Sequence, residues 1–200
     1  MTELINVEMN QKEILQTICS NFAKLLHRRH LIVNNVLPKE VINTIIADKT
    51  NNFQIDNKKI SIHIITFELK NISSGSTIDD YLSKNIDYHK FLIVKSFSKK
   101  TYTQITTEYN NAEIFTIDEL LEDIPSKEII PEHILLNADM KKELLESFGI
   151  NELPKIYSTE MMARYYGAKV NDIFRIIRPN LSSGTSIIYR TVIHGTMDIF

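Results

Sequence analysis

KISIHIITFEL, residues 59–69, is the stretch on which the fold turns. Ile60, Ile62 and Ile64 recur at the two-residue period of a strand, and the run is rich in β-branched residues, so a strand is expected. Working outward, FLIVKSF (91–97) reads as a second, buried strand and AEIFTI (112–117) as a third. Between the first two, Ser73-Ser74-Gly75-Ser76 forms a loop, and Ser76 with Asp79 caps a helix running to about residue 85. Residues 99–109 make a short helix before the third strand. A strand–helix–strand–helix–strand rhythm predicts an α/β domain with a partly parallel sheet.

Upstream, Asn10 and Glu13 form the pattern of a capping box, and Ile14, Leu15, Ile18, Phe22, Leu25 and Leu26 follow at helical spacing, so residues 11–28 read as an amphipathic helix. The basic knot His27-Arg28-Arg29-His30 at its end is explained by the helix dipole. Pro38 reads as a first-turn proline, with Val41, Ile42, Ile45 and Ile46 lining the next helix. Downstream, Pro125 and Pro131 forbid a continuous helix, which places the interdomain connection there: residues 1–124 form one domain and 125–200 another. Asn137 caps a helix over 138–148, with Gly149 just past its end. LPKIY is a short strand, and Ser158 or Thr159 starts a helix that Gly167 ends. Residues 172–178 and 186–194 are strands joined by a turn through Ser182-Ser183-Gly184. The second part is thus a small α+β unit, of a size that often leans on a partner surface.

Composition narrows the function classes. Of the 200 residues, 43% are hydrophobic and 24% charged, which rules out disorder throughout. No apolar run approaches the roughly 18 residues of a membrane span, and MTELINVEMNQKE, with no basic region followed by an apolar stretch, predicts no secretory signal. Cys19 is the one cysteine, which excludes a disulfide framework and fits a reducing compartment. The five glycines assemble no GxGxxG or GxxxxGK[ST] loop. The 32 isoleucines and absence of tryptophan fit an AT-rich genome. Net charge is −2 overall but +3 over residues 1–112, −7 over 113–150 and +2 over 151–200. That is too weakly basic to grip nucleic acid alone; it allows a protein that brushes a phosphate backbone while something larger holds it.

Few residues fall into a pattern that carries chemistry. The six histidines include no HExxH; His27 and His30 lie three apart but lack a third ligand. There is no GxSxG elbow, and Cys19 falls near the apolar face of the first helix, where it reads as a small core residue. Asp56, Glu68 and Lys70 have the spacing of the metal-dependent nuclease fold, with Glu68 and Lys70 on one strand face; Glu-x-Lys also arises by chance on exposed strands. No cofactor and no catalytic residue is assigned.

The last third is more specific: LPKIYSTEMMARYYGAKVNDIFRIIRPNLSSGTSIIYRTVI (153–193). It resembles the assembly domain of the fifth subunit of eukaryotic nuclear RNA polymerases, a domain that archaea carry alone as a small, free-standing polymerase subunit. Leu153, Pro154, Lys155 and Ile156 match that family's opening LP-[RK]-I; Ala163, Arg164, Tyr165 and Gly167 its DPVAR-Y-x-G segment; Ile176, Arg178, Ser183, Gly184, Tyr189 and Arg190 its KIxRxSETAG segment and final YR. IIPEHILL (129–136) resembles the family's LVPEH, and residues 59–124 follow the eukaryotic subunit's element order. The family's Asp-Pro-Val is replaced by Glu160-Met161-Met162, its loop glycine by Asn171, which can still adopt a left-handed backbone, and its Thr-Pro-Ser-Ala loop aligns with Lys99-Lys100-Thr101-Tyr102. These departures point to a large DNA virus or a divergent eukaryote.

The resemblance implies an N-terminal jaw domain with a nuclease-like, three-layer, mixed-sheet α/β fold but no nuclease activity, and a small α+β C-terminal assembly domain. It implies a non-catalytic subunit of a multisubunit DNA-directed RNA polymerase. Its partners would be the largest subunit, the other subunits and, transiently, downstream duplex DNA, with no membrane and no small-molecule substrate. Arg164, Tyr165, Arg178, Tyr189 and Arg190 are the expected interface residues, since Arg and Tyr are favoured at interfaces. Lys99 and Lys100 are the expected DNA-proximal residues. The location implied is intracellular: the nucleus for a cellular protein, the host cytoplasm or virion for a viral one. Two other readings stay open, an interaction module of another transcription factor and an autonomous magnesium nuclease.

Overall fold

In the computed structural model, which describes residues 10–55, 57–180 and 184–196, the chain divides into two compact units, Met1–Glu122 and Asp123–Phe200.

The first unit begins with α1 (Gln11–Arg28), whose Asn10–Glu13 capping box is fully formed, and α2 (Lys39–Asp48), which starts just after Pro38. Of the four residues expected to line α2, Ile45 alone is fully enclosed. Next comes a strand the periodicity missed, β1 (Thr50–Ile55), antiparallel to β2 (Lys58–Leu69). The helix α3 (Thr77–Ser83), capped by Ser76, leads to β3 (His89–Phe97), and α4 (Lys99–Glu108) leads to β4 (Ala112–Thr116). The sheet order is β1-β2-β3-β4, with β2, β3 and β4 parallel, as the alternation of elements requires. The expected connection also contains a helix, α5 (Ile117–Leu121), held by a Thr116–Glu119 capping box.

All of Phe91–Val94 is buried, so both sheet faces are covered. On one face Phe22 of α1 meets Phe91 edge-on at 4.9 Å. On the other, the Tyr81 ring of α3 lies tilted against His63 at 5.0 Å and its hydroxyl donates to the Phe91 carbonyl, and the buried Lys90 ammonium donates to the Leu82 carbonyl. Burial lowers the pKa of both His63 and Lys90.

The second unit opens with a 3-10 turn at Ile124–Ser126 and β5 (Glu132–Leu135), another unanticipated strand. Asn137 caps α6 (Ala138–Ser147); Gly149 follows it without a left-handed backbone, because Phe148 leaves the helix extended. After β6 (Lys155–Tyr157) comes α7 (Met161–Tyr165), whose N-cap is Glu160, neither Ser158 nor Thr159; Glu160 accepts from the Tyr157 amide instead. Gly167 (φ 65°) and Asn171 (φ 73°) are left-handed, and β7 (Ile173–Asn180) and β8 (Gly184–Ile193) complete a sheet of order β5-β7-β8-β6. Ser182 and Ser183 of the expected turn lie outside the described residues. The sheet carries a cluster on each face: Ile156, Ala163, Phe174, Ile176 and Val192 on one, Leu136, Leu153 and Ile173 on the other.

Candidate interaction surface

The β7–β8 hairpin places most of the residues singled out in the C-terminal third. Its register pairs Phe174 with Arg190, Arg175 with Tyr189 and Arg178 with Ser186. Side chains alternate across a strand, so Arg178 and Arg190 share the Phe174 face while Arg175 and Tyr189 share the opposite one. His133 of β5 reports the first grouping: burial lowers its pKa, the Pro131 carbonyl bond opposes that, and Arg178 and Arg190 lower it further, with Glu160 opposing. Arg178 is exposed, whereas Arg190 is half-buried and donates from Nη1 to the Lys155 carbonyl at 3.3 Å.

The structure separates the other expected interface residues. Arg164 and Tyr165 of α7 are buried, Tyr165 to 1% exposure. Tyr165 meets Tyr166 edge-on at 5.6 Å, and Tyr166 meets Phe174 at 5.8 Å. Tyr165 is therefore part of this unit's interior, where a partner could reach it only by opening the core. Tyr189 packs against the smaller cluster across the sheet. Arg175, which the reading of the sequence passed over, lies beside it in a cleft of about 360 Å³ that Met140 and Phe148 also line. The available signal was the Arg-Ile alternation of DIFRIIR (172–178), which puts Arg175 out of phase with Arg178.

In the first unit, Lys99 and Lys100 open α4, which Ser98 caps through a bond from the Thr101 amide at 3.1 Å. Both lysines are exposed beside a shallow cleft also lined by Asn71, Ile72, Thr103 and Gln104. Glu68 and Lys70 pair with each other at 3.5 Å and are largely exposed; Asp56, their third expected companion, lies outside the described residues. Among the described residues no three His, Cys, Asp or Glu side chains converge to hold a metal. Cys19 is enclosed, and burial pushes its thiol up to about 11, far from a reactive thiolate.

The basic knot has a more specific partner than the helix dipole. Arg29 reaches across the fold to grip Glu113 of β4 with both guanidinium nitrogens at 2.7 Å, and His89 Nε2 lies 2.7 Å from the same carboxylate. Arg29 also lies over the rings of Phe91 and Phe115. Burial alone would raise the Glu113 pKa; the Arg29 charge and the hydrogen bonds from His89 and Arg29 outweigh it and hold the carboxyl at about 2.

Comparison with known proteins then ties this arrangement to a family. The sequence profile for RNA polymerase Rpb5, C-terminal domain, matches residues 122–192. The chain is 28% identical over 201 residues to DNA-directed RNA polymerase subunit 5 of Acanthamoeba polyphaga mimivirus, an alignment covering 95% of this chain and 97% of that one. It is 36% identical over 83 residues to the subunit RPABC1 of RNA polymerases I, II and III from Caenorhabditis elegans, covering 40% of this chain and 39% of the relative. It is 39% identical over 75 residues to subunit Rpo5 of Thermofilum pendens, covering 36% of this chain but 94% of the archaeal one. The profile falls on the second unit, the archaeal subunit is matched over nearly its whole length, and the viral match spans 95% of this chain: the chain belongs to the RNA polymerase subunit 5 family, Rpb5 in eukaryotes and Rpo5 in archaea.

Proposed function

We propose that this protein is a non-catalytic, architectural subunit of a multisubunit DNA-directed RNA polymerase. The observation that carries the reading is the family match over the second unit, extended through the whole chain by the mimivirus subunit. The second unit, read from the sequence as residues 125–200, docks on the largest subunit. Arg178, Arg190 and Tyr189 supply contacts, and Arg164 and Tyr165 hold α7 beneath them. The first unit lies in the lower jaw beside downstream duplex DNA, with Lys99 and Lys100 toward the phosphates. Its sheet with helices on both faces supports a nuclease-like, three-layer fold, and the exposed Glu68–Lys70 pair is a relic or a coincidence in that setting. The whole-length viral relative supports a viral polymerase acting in the host cytoplasm or virion, with the nucleus the location if the source is cellular.

The test is affinity purification of the tagged chain from its native cells, washed at high salt and read by mass spectrometry. Stoichiometric recovery of the two large polymerase subunits is expected. Release of all polymerase by salt would make the chain a docking module of another factor. Magnesium-dependent cleavage of DNA by the purified chain, abolished by Glu68→Ala with Lys70→Ala, would make it a nuclease.

A further inference from the structure

The second sheet has an edge that no other strand among the described residues covers. The strand β8 runs for 10 residues, but β6 pairs only with its last three, Thr191–Ile193. The Thr191 amide donates to the Pro154 carbonyl on the β6 side, whereas the Val192 amide donates to Asp172 on the β7 side. The register of β7 and β8 has no shift, so this alternation continues: Ile187 and Tyr189 direct their backbone N–H and C=O groups to the side that β6 has vacated. Pro179 falls opposite Thr185, at a position where β7 needs no amide, which agrees with that phase. Protein edges are normally blunted by charge, proline or a covering element. Here the edge side chains include Ile187, 46% exposed, and no charged residue lies between Gly184 and Tyr189.

The same hairpin has a second unmet need. Residues 173–193 contain Arg175, Arg178 and Arg190 and not one Asp or Glu, and Glu143 of α6 lines the cleft that holds Arg175. Among the described residues none of these arginines forms an ion pair, and the Nε donors of Arg175 and Arg190 are buried without a hydrogen-bond partner. A buried donor left unpaired is costly and rare, and guanidinium groups are best satisfied by carboxylates.

We propose that an extended, acidic segment of another polymerase subunit pairs with the free edge of β8, adding a strand beside Ile187 and Tyr189 and placing a carboxylate on Arg190. The backbone edge supplies affinity independent of sequence, and Arg190 selects for an acidic side chain on the Phe174 face of the added strand. A nucleic acid would satisfy the arginines but not the amide and carbonyl row or exposed Ile187. This inference rests on the polymerase-subunit reading and makes its docking surface specific.

The test is amide hydrogen exchange on the full-length chain, free and in the purified polymerase, with two variants. The Ile187 and Tyr189 amides are expected to slow at least about tenfold on assembly. Ile187→Pro removes an outward donor while leaving the β7 ladder in place, and Arg190→Glu reverses the charge; each is expected to reduce recovery of the large subunits at least tenfold in cells. Should the proline variant fail to fold, the wild-type exchange and Arg190→Glu decide. Equal exchange rates in the free and assembled chain overturn the edge while leaving polymerase membership intact. Recovery of no polymerase by the wild-type chain overturns both. Protection of the same amides by duplex DNA alone overturns the protein segment as occupant.

Discussion

Replacing Glu113 by Gln removes the carboxylate that Arg29 grips, keeps the side-chain shape and deprives a largely buried guanidinium, 6% exposed, of that bidentate charge pair. Two routes give the cost. The Glu113 carboxyl is held at about 2 against an ordinary 4.5, which at about 1.4 kcal/mol per unit is about 3 kcal/mol of stability at neutral pH. Breaking one side of a buried pair costs about 3–5 kcal/mol by independent experience. For a unit of this size about 3 kcal/mol lowers the melting temperature by about 10 °C. The sign follows from linkage: the folded pKa is depressed, so the contribution is complete above pH 4.5 and declines as pH falls toward 2. At pH 3 about 1.4 kcal/mol remains, so the gap between parent and variant shrinks to somewhat less than half. Thermal unfolding by circular dichroism at pH 7 and pH 3 measures both numbers. Adding Arg29→Met to Glu113→Leu removes both charges together and should recover part of the loss, because the pair itself is worth less than the penalty of removing one member alone. A variant melting within about 2 °C of the parent at pH 7, or a gap equal at both pH values, would refute the reasoning.

In the second unit, Asn171→Gly should be neutral within a few tenths of a kcal/mol and Asn171→Ala should cost about 1 kcal/mol, because the left-handed φ of 73° penalises a Cβ that cannot hydrogen-bond locally; paired melts read the difference. Gly195→Ala would put a methyl 2.7 Å from Tyr157 Cβ and 2.8 Å from Thr159 Oγ1, and should destabilise this unit by about 1–3 kcal/mol in urea titrations. Lys99→Ala with Lys100→Ala in the assembled polymerase should reduce the slope of log affinity for duplex DNA against log salt by about one per lysine; an unchanged slope removes these residues from the DNA path.

Much of the fold was legible because its local signals were strong. The capping box at Asn10, the isoleucine alternation of β2, the Ser76 cap and the left-handed competence of Asn171 all act over a few residues and need no tertiary context. The elements that escaped are those whose stability comes from elsewhere. TNNFQI (50–55) lacks a strand pattern and is extended because β2 offers it a partner. EHIL is too short for periodicity and is a strand because β7 lies beside it. IDELL carries a readable capping box at Thr116 and Glu119, but its one turn buries only Leu120, too short a run to show helical periodicity.

The sites divide the same way. Sequence alone identified the family-bearing residues of the C-terminal third and the basic start of α4, because those are properties of residue type and spacing. It could not say that Tyr165 faces inward, that Arg178 and Arg190 share one face while Tyr189 takes the other, or that Arg29 meets Glu113 across 84 residues. Burial and long-range charge pairing depend on which surfaces the packed elements bring together, and only the tertiary structure decides that.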